Sequence, residues 1–542
     1  MQRKISALLF SMLLLGGVVA SLSAQETPGF GDVVDVKVVN LEVVVEDRDG
    51  VRVTGLAPED LRLIIDGQET EIAFFTEVLG GRAVAARDGA LPGAPAAVSG
   101  ETVENRYLVF IDEYFTIGRD RDRVVKAVID GLGELRPSDS MAVVAFNGRR
   151  VEMLSSWTSS QRRLEEALRG ALERPTFGLQ RLGERRAFGV DPARGLGRSP
   201  VRFGGTRLSI AERAYAGQIS GQLERTVDAA VATLRGFGRP SGRKVMMLLS
   251  GGWPLSPAEF AADDLLRPLS AYDGYSGRHI YGPLVDTANR LGFTLYPVDV
   301  AGLEGGFGAD VSFAGRQDSR STRRSFERER IVHDAFQYLA NETGGRALIN
   351  GQRLQAVNRV VEDTRSYYWI GFVPKNVGDN LAYEVEIKTL KPGLKVRTRR
   401  SYRDLSRTAE VSMEVESALL FGDAPAAEGL VVDVGVPEPA GRRRIELPLS
   451  LQIPVAAITP LPEADGPVAY LELRIAALDD KDRRSDVSAI PIEVRFDEAP
   501  RDNGLVAWET KVLLRKQPQD LVVAVHDPAS GRGYMTRLAV AP

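Results

Sequence analysis

Apolar and polar residues follow two different patterns along the chain. Between Val33 and Val78, apolar residues recur at every second position around turns at Asp49-Gly50 and Asp66-Gly67, which is typical of β-hairpins. The stretch 79–103 is rich in Ala, Gly and Pro and has no such period, which predicts a linker. The chain is therefore predicted to open with a β-rich segment, 33–78, followed by a linker.

From residue 104 to 375, apolar runs such as YLVFID, MAVVAF, VMMLLS and TLYPV alternate with amphipathic helical stretches. This alternation predicts an α/β domain with a doubly wound, mainly parallel sheet, because each helix returns the chain for the next parallel strand. Residues 174–207 are rich in Gly, Arg and Pro and are predicted to be an insertion. Two interpretations stay open for it: a basic surface for an acidic partner, or a solvated loop.

The C-terminal third returns to strands and turns. We predict a hairpin over 380–402 around Pro392-Gly393, a linker region over 403–440 with one short helix near 415–421, and a β-sandwich over 441–542. We also expect the β-rich segments on either side of the α/β domain to pair into one sandwich, which would bring 38–46 near 383–388.

The N-terminus carries a targeting pattern. Arg3 and Lys4 precede an apolar run from 5 to 19, and small residues follow to Ala24. This predicts a signal peptide over 1–24 and an exported, periplasmic or extracellular protein. The alternative, a membrane anchor, needs an apolar run of roughly 20 residues. We expect no stable membrane insertion after cleavage of the signal.

The composition bears on the classes of partner and on how the domains are stabilised. The net charge of −4 over 542 residues gives no reason to expect nucleic-acid or membrane-surface binding. The chain has no cysteine, so each domain must be stabilised by its core without disulfides.

Four motifs occur in an order that resembles one family. RYLVFIDEYF, LRPSDSMAVVAF, GRKVMMLLSGG and YYWIGFVP, the last followed by KPGLKVRTRRSY, are similar to the VWFA-related acidobacterial-type domain proteins, and the resemblance spans about 33–402. It implies a von Willebrand factor type A-like domain. In such an open α/β sheet the ligand site lies at the carboxyl ends of the strands. We call this edge the crest.

The resemblance also implies a metal-ion-dependent adhesion site, in which D-x-S-x-S, a loop Thr and a later Asp bind Mg²⁺ through oxygen ligands. The chain departs from this pattern. Asp112 stands at the first ligand position, but Tyr114 replaces the first Ser and Thr116 the second. Gly251 and Gly252 follow Ser250 where T-D-G is expected, so the acid is missing.

The resemblance thus implies a degenerate site for Mg²⁺ or another divalent cation, with these candidate ligands: Asp112, Glu113, Thr116, Thr206 and Ser250. Each has a structural alternative, since Asp, Thr and Ser at strand ends also cap turns. Glu113 is expected to point to the opposite side of the strand from Asp112. The residues predicted to contact a partner are Tyr114, Gly251 and Gly252.

Nothing in the sequence indicates catalysis. His279, His333 and His526 lie on different predicted elements without an H-E-x-x-H spacing, and no G-x-S-x-G motif occurs. We predict a non-enzymatic, exported, adhesion-like protein that binds a protein partner through its crest. The alternatives are a cell-envelope scaffold that assembles without metal through its β-domains, and an unrecognised hydrolase.

Overall fold

The computed structural model describes these residues: 38–86, 100–188, 208–238, 242–262, 277–302, 319–375, 378–421, 429–463, 466–479, 484–485, 487, 489–496 and 504–541. The predicted signal peptide, 1–24, lies outside them. No helix within these ranges is long and apolar enough to cross a membrane.

The described residues form a mixed α/β molecule with several sheets. Its helices are α1 (Gly118–Asp130), α2 (Gln161–Leu172), α3 (Gly178–Ala187), α4 (Ile210–Gly236), α5 (Pro257–Ala261), α6 (Arg278–Leu291), α7 (Ser319–Thr343), α8 (Ala356–Arg365) and α9 (Arg407–Phe421). Its strands are β1 (Val39–Glu46), β2 (Leu61–Ile65), β3 (Gln68–Thr70), β4 (Phe74–Leu79), β5 (Arg82–Ala86), β6 (Asn105–Asp112), β7 (Ser140–Phe146), β8 (Val151–Thr158), β9 (Arg243–Ser250), β10 (Phe293–Asp299), β11 (Tyr367–Phe372), β12 (Ala382–Thr389), β13 (Lys395–Arg397), β14 (Ser401–Arg403), β15 (Val431–Val434), β16 (Glu438–Pro439), β17 (Arg444–Pro454), β18 (Leu461–Glu463), β19 (Gly466–Asp479), β20 (Ala489–Arg495), β21 (Leu505–Arg515), β22 (Gln519–His526) and β23 (Gly533–Val540).

A five-stranded sheet in the order β10-β9-β6-β7-β8 carries the candidate site. β10, β9, β6 and β7 are parallel, and β8 is antiparallel to β7. Because successive side chains of a strand point to opposite faces, β6 contributes Leu108 and Phe110 to one core and Val109 and Ile111 to another. Helices α4, α6 and α7 pack on the first face, and α1, α2 and α8 on the second.

The β-rich segments on either side of this region form one sandwich, as expected from their positions in the chain. β1 pairs with β11 and β13, while β12 pairs with β2. The strand at 39–46 therefore meets the strand at 382–389 across the sandwich core and not edge to edge. Both strands contribute to that core, which includes Leu41, Val43, Val385 and Ile387.

Two expected boundaries differ at the β-rich segments. Strand 367–372, predicted as part of the α/β domain 104–375, is the centre of the N-terminal sheet, between β1 and β4. Its apolar run fits either sheet, so periodicity alone did not distinguish them. The predicted linker 79–103 starts inside a hairpin, because β4 ends at Leu79 and β5 covers Arg82–Ala86; residues 87–99 lie outside the described ranges.

Residues 380–402 do not form the predicted hairpin. β12 pairs with β2 and β14, whereas β13 pairs with β1, so the two strands join different sheets. The turn between them needs a glycine, because Gly393 has a φ of 80°. This turn carries the chain from one sheet of the sandwich to the other.

The region 403–440 is more ordered than a linker. Helix α9 spans Arg407–Phe421, about twice the stretch predicted near 415–421, and β15 and β16 pair with β17 of the C-terminal sandwich. In the predicted insertion 174–207, residues 178–187 form α3, and 189–207 lie outside the described ranges. Within 441–542 two sheets share one apolar core, the predicted sandwich.

Candidate functional site

Asp112 ends β6 at the crest and is fully buried. Its Oδ1 accepts hydrogen bonds from the backbone N–H groups of Tyr114 and Phe115, at 3.0 and 3.1 Å. Its Oδ2 accepts from Ser250 Oγ at 2.6 Å and from Trp253 Nε1 at 2.8 Å. A carboxylate offers about four acceptor positions, so protein donors fill the acceptor capacity of Asp112.

These four donors are all neutral, so no positive charge among them stabilises the ionised form of the Asp112 carboxyl. Burial raises the pKa of Asp112 to about 6, and the hydrogen bonds from Ser250, Trp253 and the backbone only partly oppose that rise. No cation is among the groups that lower it. In this arrangement Asp112 caps the turn after β6 and accepts a hydrogen bond from a buried indole.

The packing around Gly251 leaves no room for an acidic side chain after β9. A Cβ built on Gly251 would lie 2.6 Å from the carbonyl oxygen of Phe115 and 3.0 Å from the Cα of Thr116. The loop that follows Asp112 is held from the other side as well, since a Cβ at Gly178 would lie 2.6 Å from the carbonyl carbon of Thr116. An aspartate at 251 would require this loop to move.

The residues present do not fit a divalent cation at the Asp112 position. An indole N–H occupies one carboxylate oxygen and cannot be a ligand, and backbone packing excludes a side chain at 251. Among the described residues, no group of three or more His, Asp or Glu side chains is placed to hold a metal ion. Binding of Mg²⁺ or another divalent ion at this position stays a prediction of the family resemblance.

The remaining predicted ligands differ in their surroundings. Glu113 is buried but bonds to Arg174, with Nε–Oε1 at 2.5 Å, and Arg174 also contacts Glu152 at 2.7 Å. Burial raises the pKa of Glu113, and Arg174 limits the rise. The Thr116 hydroxyl is buried without a hydrogen-bond partner among the described atoms. Thr206 lies outside the described residues.

A small apolar hollow lies beside Asp112, and we call it the crest hollow. It has a volume of about 60 Å³, and its wall includes Gly251 and Gly252, two of the predicted partner-binding residues. The other lining residues are Phe115, Ile117, Asp120, Gly178, Arg181, Tyr215, Ile219, Gln222, Pro254, Phe260 and Ala301. Tyr114, the third predicted contact, faces a different cleft beside the crest.

Sequence analysis missed several residues of this region. Trp253 bonds to Asp112 and stacks on Tyr281 with ring centroids 6.0 Å apart. Asp299 ends β10 as Asp112 ends β6; its Oδ2 accepts from Gly302 N at 3.1 Å and contacts His333 Nε2 at 3.1 Å. The signal for Asp299 was its place after a buried strand, YPVD, at the same edge of the sheet.

Comparisons with known proteins do not assign a family. No family model matches, and no curated protein matches. Solved structures that resemble the chain include a von Willebrand factor type A protein from Catenulispora acidiphila, at 12% identity over 63% of this chain and 75% of that one, with a TM-score of 0.22. The pilus adhesin SpaC from Lactobacillus rhamnosus GG matches at 8% identity over 90% of this chain and 57% of the adhesin, with a TM-score of 0.25. The SpRpn10 VWA domain matches at 11% identity over 32% of this chain and 85% of that domain, with a TM-score of 0.13.

Proposed function

We propose that the chain is an exported, non-catalytic, adhesion-like protein whose type A-like domain engages a protein partner at the crest without a metal ion at Asp112. The observation that carries this proposal is the crest hollow. It is largely apolar, lies at the carboxyl ends of β6 and β9, and includes Gly251 and Gly252 in its wall. Ligands of open α/β sheets bind at this edge. The hollow is far smaller than a small-molecule site, so it can receive one small side chain of a protein partner.

The hydrogen bonds around Asp112 support the proposal that the partner binds without a metal ion. Four protein donors satisfy the carboxylate, so a cation would have to displace Ser250 or Trp253. Recognition then depends on shape and apolar contact.

The absence of cysteine allows a direct test by site-specific crosslinking. Ala301→Cys places a single thiol in the wall of the hollow, and Val436→Cys places one on the C-terminal region, where Val436 is 83% exposed. Each variant would be labelled with a benzophenone maleimide, mixed with envelope extract of the source organism and illuminated, in EDTA and in Mg²⁺.

We expect a discrete protein adduct from position 301 but not from 436, with equal yield in EDTA and Mg²⁺. Unlabelled protein should compete for it, and unlabelled Ala301→Trp, which fills the hollow, should not. Identical adducts from both positions would contradict binding at the crest. An adduct that requires Mg²⁺ would contradict the metal-independent part, and an adduct with a second copy of the chain would favour the scaffold alternative.

A further inference from the structure

A second, larger cleft lies beside the crest, and we call it the arginine cleft. Its volume is about 1400 Å³, and its wall contains Tyr114 at the crest and the turn Asn147–Gly148 between β7 and β8. Small-molecule sites usually measure about 300–1,000 Å³. The cleft is therefore more suited to a polymer segment than to a compact ligand.

The charge in this cleft is unbalanced. Five arginines line it: Arg149, Arg150, Arg181, Arg225 and Arg484. The acids in its wall are Glu152, which already bonds to Arg174 at 2.7 Å, and Asp228. Clefts lined by one sign of charge attract ligands of the opposite sign.

Two of the arginines are available for a ligand. Arg149 and Arg225 are exposed and form no ion pair with any described residue, whereas Arg181 pairs with Glu184 at 2.7 Å and Arg484 pairs with Glu416. Every basic residue in the wall is arginine. Its planar guanidinium binds carboxylates through two parallel hydrogen bonds, which a lysine cannot do.

The backbone at the cleft favours a polypeptide as the occupant. β8 is the last strand of the central sheet, and among the described strands it pairs with β7 alone. Its first residues, Val151 and Glu152, line the cleft. An extended peptide can add to such a strand edge through main-chain hydrogen bonds, and its alternate side chains then face one side.

We propose that the arginine cleft binds an acidic, extended peptide segment, with Arg149 and Arg225 holding its carboxylates and β8 aligning its backbone. This inference rests on the proposed protein-binding function. It specifies that the partner carries an acidic segment, which lies beside the part that binds in the crest hollow.

A fluorescein-labelled peptide of ten glutamates is the probe, and fluorescence anisotropy measures its binding to the full chain. We expect saturable binding that weakens as salt increases, and no binding of ten lysines. Arg149→Glu combined with Arg225→Glu should lower the affinity at least tenfold. The matched control is Arg162→Glu with Arg163→Glu, the same charge change on the exposed side of α2, and it should change the affinity less than threefold.

Three results would overturn the inference: no saturable binding, an equal loss in the control pair, or equal binding of a sulfated polysaccharide. A peptide of alternating Glu and Pro, which lacks half of the backbone donors, should bind more weakly if β8 aligns the chain. An adduct at residue 301 without peptide binding would overturn this inference alone. Peptide binding without the adduct would overturn only the crest proposal.

Discussion

Two buried aspartates of the α/β region have opposite surroundings. Asp112 receives hydrogen bonds from neutral groups, among them Ser250 and Trp253. Asp363, near the end of α8, lies among cations: Arg397 contacts both of its oxygens, at 2.8 and 2.9 Å, and Arg52 contacts Oδ1.

The same burial therefore leads to opposite protonation behaviour. Burial alone raises the pKa of both carboxyls. For Asp112 this effect dominates, and its pKa rises to about 6. For Asp363 the charges of Arg397 and Arg52 outweigh burial and hold the pKa well below its ordinary value.

The two aspartates therefore have different structural roles in the α/β region. Asp363 joins α8 to Arg52, in the segment between β1 and β2, and to Arg397 of β13, so its charge ties the N-terminal sandwich to the α/β region. Asp112 joins the ends of β6 and β9 through hydrogen bonds to neutral donors. At the crest, Asp112 is thus held by protein donors, which is the arrangement that the proposed metal-independent recognition requires.

Asp363→Ala tests the ion network and should have the largest effect. It removes the carboxylate that Arg397 and Arg52 share and leaves them only Glu46 among the described acids, at 3.6 and 2.6 Å. Breaking a buried pair from one side typically costs about 3–5 kcal/mol. The free energy of unfolding from denaturant titration at pH 7 measures the loss. Because the pKa of Asp363 is lowered in the folded state, its contribution exists above the unfolded pKa and disappears as the pH falls. The difference from the wild type should therefore shrink in acid.

The control for this test is Arg359→Ala on the same helix. Arg359 lies 3.8 Å from Glu362, and both side chains are exposed. Exposed pairs contribute about 0–1 kcal/mol. A loss for Asp363→Ala as small as that of the control would contradict the structural role of the network.

Asp112→Asn tests the neutral arrangement and should have an intermediate effect. The pKa is raised, so between its ordinary value of 3.8 and about 6 the folded state binds more protons than the unfolded state, and stability falls as the pH rises through this window. An amide cannot titrate. The stability difference between wild type and variant should therefore change by roughly 2–3 kcal/mol between pH 4 and pH 7.

Denaturant titration at several pH values measures this slope, and Asp130→Asn, an exposed substitution on α1, is the control. The amide also places an N–H opposite the Trp253 N–H, which adds a loss of about 1–3 kcal/mol that does not depend on pH. Parallel pH profiles for wild type and Asp112→Asn would show that this carboxyl does not titrate in the window.

Sequence alone predicted the alternation of elements well where periods are long and strong. The apolar runs YLVFID, MAVVAF, VMMLLS and TLYPV lie within β6, β7, β9 and β10. The sequence did not show to which sheet a buried strand belongs. β11 has the apolar run of a parallel strand, but both of its neighbours are antiparallel strands of another sheet.

The positions of the candidate residues at the strand ends were predictable, whereas most of their contacts were not. The strand-end placement of Asp112 and Ser250 brings them together, as the resemblance implied. Trp253 could not be assigned from sequence, because its hydrogen bond depends on how the chain turns after β9. The pairing of Glu113 with Arg174 depends on a contact 61 residues apart in sequence, which no local pattern encodes.

His333→Gln is expected to have the smallest effect and tests Asp299, which ends β10 at the crest as Asp112 ends β6. Burial lowers the pKa of His333, but the hydrogen bond and charge of Asp299, with Glu329 and Asp334, outweigh it and raise the pKa. The stabilisation is therefore present below the unfolded pKa and is lost as the pH rises through the folded pKa. Wild type should exceed the variant by about 1 kcal/mol or less at pH 5, a difference that disappears by pH 8. Denaturant titration at both pH values measures it, with the exposed His279→Gln as control. Equal differences at pH 5 and pH 8 would mean that Asp299 is held by the Gly302 amide and not by the histidine charge.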